Sequence, residues 1–96
     1  MRIAQIIGTV TLSRCHPSLV GGSYRLAVPL SLDELQTGRP PQADPLVLYD
    51  AWGAGQGSRV ALSESREAAA PFYPEIKPID AYNAAILDHI HIEKET

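Results

Sequence analysis

The most constraining feature is the opening run, "MRIAQIIGTVTL". From Arg2 to Leu12 the chain alternates, with Ile3, Gln5, Ile7, Thr9 and Thr11 on one side and Ala4, Ile6, Gly8, Val10 and Leu12 on the other. Apolar character on both sides over much of its length predicts a strand covered on both faces. Gly8 sits in the middle, where glycine weakens a strand unless the sheet bends or another backbone passes close. A long first strand, bent halfway, is what a small closed barrel requires.

The rest of the chain supplies the other staves. "SRCHPSLVGGS" is turn chemistry, and "YRLAVPL", Tyr24 to Leu30, alternates again, with Pro29 marking an edge or strand end. "LVLYD", Leu46 to Asp50, predicts a third strand, and "SRVALS", Ser58 to Ser63, a fourth. Between the second and third lies the most polar stretch, read as a long exposed connection over Asp33–Pro45 in which Asp33 and Glu34 are solvated. "SESREAAA" predicts a short helix with Ser63 or Ser65 as cap, ended by Pro71. "PFYPEIKP" is too rich in proline for regular structure. A fifth strand is expected from about Ala84 to Ile92, with a helix over Asp80–Leu87 as the competing reading. Five strands and one short helix make a mainly β, OB-like five-stranded barrel, which also removes open sheet edges.

Ninety-six residues fit a single domain, with 33–45 as its exposed connection and 93–96 as a tail. A chain of this length buries roughly 60–65% of its extended surface, so its core is modest and oligomerisation is a common supplement. Composition is globular, with 45% hydrophobic and 20% charged residues. The net charge of −3 and the lack of any Lys/Arg run argue against a nucleic-acid partner. No apolar run reaches the roughly 18–20 residues that span a bilayer, and the alternating N-terminus is unlike a signal peptide. The single Cys15 excludes an internal disulfide and fits a reducing cytosol.

Candidate chemistry is thin. On a strand, His89, His91 and Glu93 would share a face, but zinc wants three or four ligands and would need Cys15 or His16 to arrive from elsewhere. Cys15-His16 are sequence neighbours in a turn, a poor arrangement for a nucleophile and its base. Asp44 and Asp50 bracket a strand, where turn-stabilising bonds are their ordinary duty. No catalytic residue, metal site or cofactor is expected. An OB-like barrel also suggests a binding module for a small ligand or single-stranded nucleic acid, which predicts a monomer or dimer and aromatic stacking platforms.

"YDAWGAGQGSRV" packs three glycines into five residues. A phosphate-binding loop would follow a strand and open a helix, but here a strand follows the glycines, and neither a GK[ST] ending nor a GxGxxG pattern is present. A phosphate cradle is therefore not expected here, and what the glycines do instead depends on the rest of the chain.

Four stretches together, "MRIAQIIGTV", "HPSLVGGSYRLAVPL", "YDAWGAGQGSRVALS" and "KPIDAYNAAILDHIHIE", resemble the EutN/CcmL family, the pentameric vertex proteins of bacterial microcompartments including carboxysomes. The likeness spans most of the chain in order. Its most specific element is the Asp-x-x-Gly-Ala-Gly-x-Gly run, matched by Asp50, Gly53, Ala54, Gly55 and Gly57, followed by Pro78-Ile79-Asp80-Ala81. The connection over Asp33–Pro45, the helix start "SESREAAA" and the two aromatics of "PFYPEIKP" depart from the family pattern.

The resemblance implies a structural shell protein in the bacterial cytoplasm rather than an enzyme. It would form a cyclic homopentamer that caps five-fold vertices among hexameric or trimeric shell tiles. It places Trp52, Gly53, Ala54, Gly55 and Gly57 at a subunit interface or axial opening. Trp52 is then either an interface anchor or a core residue over a glycine-bent turn.

Overall fold

The computed structural model describes residues 1–75 and 77–93. Its elements are β1 (Arg2–Val10), β2 (Tyr24–Pro29), α1 (Leu32–Thr37), β3 (Leu46–Tyr49), β4 (Arg59–Glu64), α2 (Arg66–Ala69) and β5 (Ala81–Leu87). Short 3-10 turns lie at Pro17–Leu19 and Ala70–Phe72. The strands close into a mainly β barrel in the order β1-β2-β3-β5-β4, with β4 returning to β1. Every pairing is antiparallel except β3 with β5, which is parallel and joined at the single pair Tyr49–Tyr82.

β1 belongs to two sides of the barrel at once. Residues Arg2–Gln5 pair with β4, while Ala4–Val10 pair with β2. The register against β2 slips between Ile6 and Gly8, so Ile7 is the extra residue of a bulge. A bulge bends the strand and raises its twist, which is the bend that Gly8 foretells. Inside, the core is Ala4, Ile6, Ala27, Leu48, Ala54, Val60, Leu62 and Ala81. Half of these are alanines because a five-stranded barrel has a narrow lumen, filled by alternating small and large side chains.

The expectation that β1 is covered on both faces is met on one face only within a single chain. Ala4 and Ile6 are buried, whereas Ile3 and Gln5 are half-buried and Ile7 is exposed. Val47 on β3 and Ile86 on β5 are likewise exposed apolar residues.

Several boundaries differ from the sequence reading. The connection over 33–45 is not wholly irregular, since Leu32–Thr37 is helical. Ser31 caps it by accepting from the Glu34 N–H (3.1 Å), the Glu34 carboxylate accepts from the Ser31 N–H (2.9 Å), and Gly38 ends it. Glu34 is therefore buried rather than solvated, and its second oxygen accepts from the Gln42 N–H at 2.8 Å. Those N–H donors, from Ser31 first, hold its carboxyl below the ordinary range against the opposing effect of burial. Asp33 remains exposed.

β5 begins earlier and ends earlier than expected, at Ala81–Leu87 rather than 84–92, and the competing helix does not form. β1 likewise stops at Val10, short of Leu12. Of the expected tail 93–96, only Glu93 lies within the described residues, and Ile76 of "PFYPEIKP" lies outside them.

Candidate functional site

The glycine loop leaves β3 at Asp50 and enters β4 at Arg59, and its anchor is the Asp50 side chain. That carboxylate is fully buried and accepts four hydrogen bonds. Oδ1 receives the Trp52 N–H (3.0 Å) and Asn83 Nδ2 (2.9 Å), and Oδ2 receives the Ala54 N–H (2.8 Å) and Arg25 Nε (3.2 Å). Burial alone would raise its pKa. The donors from Trp52, Asn83, Ala54 and Arg25 outweigh that effect and hold the carboxyl below the ordinary range. Arg25 in turn donates to Thr9 Oγ1 at 3.0 Å, so one charge network ties β1, β2, β3 and β5 to the loop.

The second half of the loop is laced to the bend in β1. Gly57 donates its N–H to the Ile6 carbonyl (2.8 Å), Ile6 donates to the Ser58 carbonyl (2.9 Å), and Ser58 donates to the Gly55 carbonyl (3.1 Å). Gly53 and Gly57 have φ of 75° and 86°, the left-handed region that side chains disfavour. Gly55 is different. Its φ lies outside that region, and a Cβ built there would meet only Ser58 Oγ, at 3.9 Å. Ala54, between the two, is buried and belongs to the core, so the loop closes that end of the barrel.

Trp52 is not a core residue. The residue is 58% exposed, while its indole N–H donates to the Asn83 carbonyl at 2.8 Å. A large aromatic face is thus pinned at the surface by its polar edge, the usual disposition of an interface tryptophan.

The other candidate groups do not assemble. Among the described residues, no three His, Cys, Asp or Glu side chains are grouped to hold a metal. His89 and His91 lie beyond the end of β5 rather than on it. The His16 ring bonds Ser18, through its backbone N–H (3.1 Å) and Oγ (2.7 Å), and Cys15 is exposed. The aromatics form a packed cluster: Tyr49 stacks on Tyr82 (6.0 Å between centroids), and Tyr24 and Phe72 meet Tyr49 edge-on at 5.5 and 5.0 Å. Lys77 Nζ lies 4.6 Å from the Phe72 ring centre and donates to the Ser18 carbonyl at 2.6 Å. Phe72, one of the departures from the family pattern, therefore packs against the barrel strands β3 and β5.

Two members of the loop's network, Arg25 and Asn83, are invisible to sequence reasoning, because each reaches Asp50 from more than twenty residues away. The Asp50 bonds to Trp52 and Ala54 are local and follow the turn chemistry expected of it.

Comparison with known proteins gives a consistent answer. No curated protein sequence matches at a significant level. GrpN, the pentameric microcompartment shell protein from Rhodospirillum rubrum, is similar over 98% of this chain and 100% of its own, at 26% identity and a TM-score of 0.80. CcmL of Gloeobacter violaceus is similar over 97% of this chain and 91% of its own, at 28% identity and a TM-score of 0.82. CcmL of Nostoc sp. PCC 7120 is 31% identical, covering 97% of this chain and 93% of its own, again with a TM-score of 0.82. The family profile described as ethanolamine utilisation protein EutN/carboxysome matches residues 1–88, and the chain belongs to that family.

Proposed function

We propose that this chain is a structural subunit of a bacterial microcompartment shell in the bacterial cytoplasm, forming a homopentamer that closes five-fold vertices. The observation that carries this reading is its end-to-end likeness to pentameric shell proteins, GrpN above all, with a TM-score of 0.80. The geometry supports it. A closed barrel has no strand face left to stack within the chain, yet Ile7, Val47, Ile86 and the pinned Trp52 ring stand exposed. Cyclic association head to tail covers such surfaces, with one patch meeting a different patch of the neighbour until the ring closes.

The glycine loop is the proposed interface or axial element, carried by Trp52, Gly53, Ala54, Gly55 and Gly57. Within one chain Gly53 and Gly57 are needed for their backbone conformation, and Ala54 for its fit in the core. Gly55 has neither requirement, so its lack of a side chain suits close approach by a neighbouring copy. Flat hexameric or trimeric shell tiles are the expected outer partners, since such tiles alone cannot close a polyhedron.

Among the described residues, no His, Cys, Asp or Glu side chains are grouped to hold a metal. The single-strand binding reading is weaker because Tyr24, Tyr49, Phe72 and Tyr82 pack on one another rather than lining a groove. Native mass spectrometry of the purified protein tests the proposal. The expected species is about 52 kDa, five 10.4 kDa subunits. A monomer at micromolar concentration would refute it.

A further inference from the structure

Four of the five strand pairings carry at least four matched pairs, whereas β3 and β5 meet at Tyr49–Tyr82 alone. Beyond that pair the two strands are not laddered to one another, so side chains close this side of the barrel. Tyr49 and Tyr82 stack, and Phe72 meets both edge-on, at 5.0 and 5.7 Å. Phe72 belongs to the connection between α2 and β5 and not to any strand.

One further group sits on this cluster. Lys77 Nζ lies over the Phe72 ring, 4.6 Å from its centre, and over the Tyr49 ring at 5.2 Å, and it donates to the Ser18 carbonyl at 2.6 Å. Lys77 is half-buried, and among the described residues no carboxylate pairs with it. Two ring faces take the charge in place of a counter-ion, and a carbonyl takes one of the three N–H donors. That is the recognition chemistry of a primary ammonium. The groups it touches come from three places: the Pro17–Leu19 turn, the end of β3 and the Ala70–Phe72 turn. The bond to Ser18 spans 59 residues of chain.

We propose that Tyr49, Phe72 and the Ser18 carbonyl form a seat for a primary alkylammonium, filled from within the chain by Lys77. The seated side chain is a latch. It clasps the connection between α2 and β5 onto the Pro17–Leu19 turn, across the seam that the strands join by one pair. Every member belongs to one chain, so the inference stands apart from the assembly proposed above. Releasing the ammonium loosens both turns together, because the same nitrogen holds each of them. The strand ladders lie outside the seat and stay closed.

The test removes the side chain and offers its chemistry back. Lys77→Ala deletes what n-propylammonium contains, a short alkyl stem ending in an ammonium. Amide hydrogen exchange is followed on the full chain and on this variant, with native mass recorded alongside so that a change of assembly is read separately. The amides of Leu19, Val20, Gly22, Tyr73 and Glu75 are bonded within the two turns. In Lys77→Ala they should exchange about tenfold faster, while the β1–β4 ladder is unchanged. Excess n-propylammonium chloride should restore slow exchange at both turns. Sodium chloride and tetramethylammonium chloride at equal ionic strength should not, the one lacking an alkyl stem and the other an N–H for the Ser18 carbonyl. Unchanged exchange in Lys77→Ala, or acceleration at one turn only, would overturn the latch. Acceleration that n-propylammonium fails to reverse, or that sodium chloride reverses as well, would overturn the seat. Reversal by tetramethylammonium too would strike the Ser18 carbonyl from it. One reading needs no variant: ring currents above two aromatic faces should move the Lys77 Hε protons of the wild type upfield of those of an unstructured lysine. An unshifted signal would overturn the seat even where Lys77→Ala fails to fold.

Discussion

A buried carboxylate persists only where donors offset its lost hydration, and Asp50 has four of them. Replacing it with Asn removes the charge that Arg25 faces and points an amide N–H₂ at existing donors. Asp50→Asn should cost about 3 kcal/mol in denaturant unfolding of the subunit. The pH dependence follows from the direction of its shift. An unfolded Asp titrates near about 3.9, and Asp50 in the fold titrates lower. Its contribution is therefore complete above about pH 4 and is lost as pH falls through the folded value. The stability gap between wild type and Asp50→Asn should narrow on acidification below pH 4, and a constant gap would show that the carboxylate is not the anchor. Gly55→Val asks the complementary question. It leaves the subunit's own contacts alone, so the unfolding of dissociated subunits should change little while the 52 kDa species is lost. Unchanged assembly would remove Gly55 from the interface.

Helix α1 exists because of its first turn. Six residues are too few to be stable on propensity alone, and the reciprocal bonds between Ser31 and Glu34 supply what propensity lacks. Ser31→Ala should cost about 1 kcal/mol, read from the urea midpoint at unchanged slope. The signal for this helix was in the sequence: Ser31-x-x-Glu34 is a capping-box pattern, and Gly38 is a suitable stop. Flanking prolines and polar residues hid it, and the burial of Glu34 depends on the Gln42 N–H, which no local pattern reveals. β1 and β4 were readable because one face of each is buried by the chain itself, so the two-residue period survives in the sequence, while β2 and β3 were readable as short apolar runs bounded by turn residues. β5 was misplaced at both ends. Its start, Ala81–Asn83, carries little alternation because Asn83 turns inward to bond Asp50. Its expected end carries alternation that the single chain does not use. That the glycine loop is not a phosphate cradle was legible, since a strand and not a helix follows it. What it is fastened to was not legible, because Arg25 and Asn83 come from distant strands.

For the molecule as a whole, a small alanine-rich core and uncovered apolar residues mean that folding and association share the same free energy. A protein stabilised by assembly melts at a temperature that depends on its concentration. Thermal unfolding of the wild type should shift downward on successive tenfold dilutions, and Gly55→Val should remove that dependence. A melting temperature independent of concentration, in a protein of pentameric mass, would mean that the subunit barrel is self-sufficient.

The parallel join between β3 and β5 is one rung wide, at Tyr49–Tyr82, and this sets how the barrel would yield under load. A hoop pulled along its circumference parts at its narrowest fastening, and here that fastening is scarcely a ladder. The tension would be carried by the Tyr49–Tyr82 stack, by Phe72 wedged edge-on against both rings, and by the Trp52 indole bond to Asn83. Stacked rings slide before they separate, so this side of the wall acts as a compliant joint. The four ladder-bonded strand pairs around it are stiff, and a vertex subunit strained by the curvature of its shell would flex at that joint first.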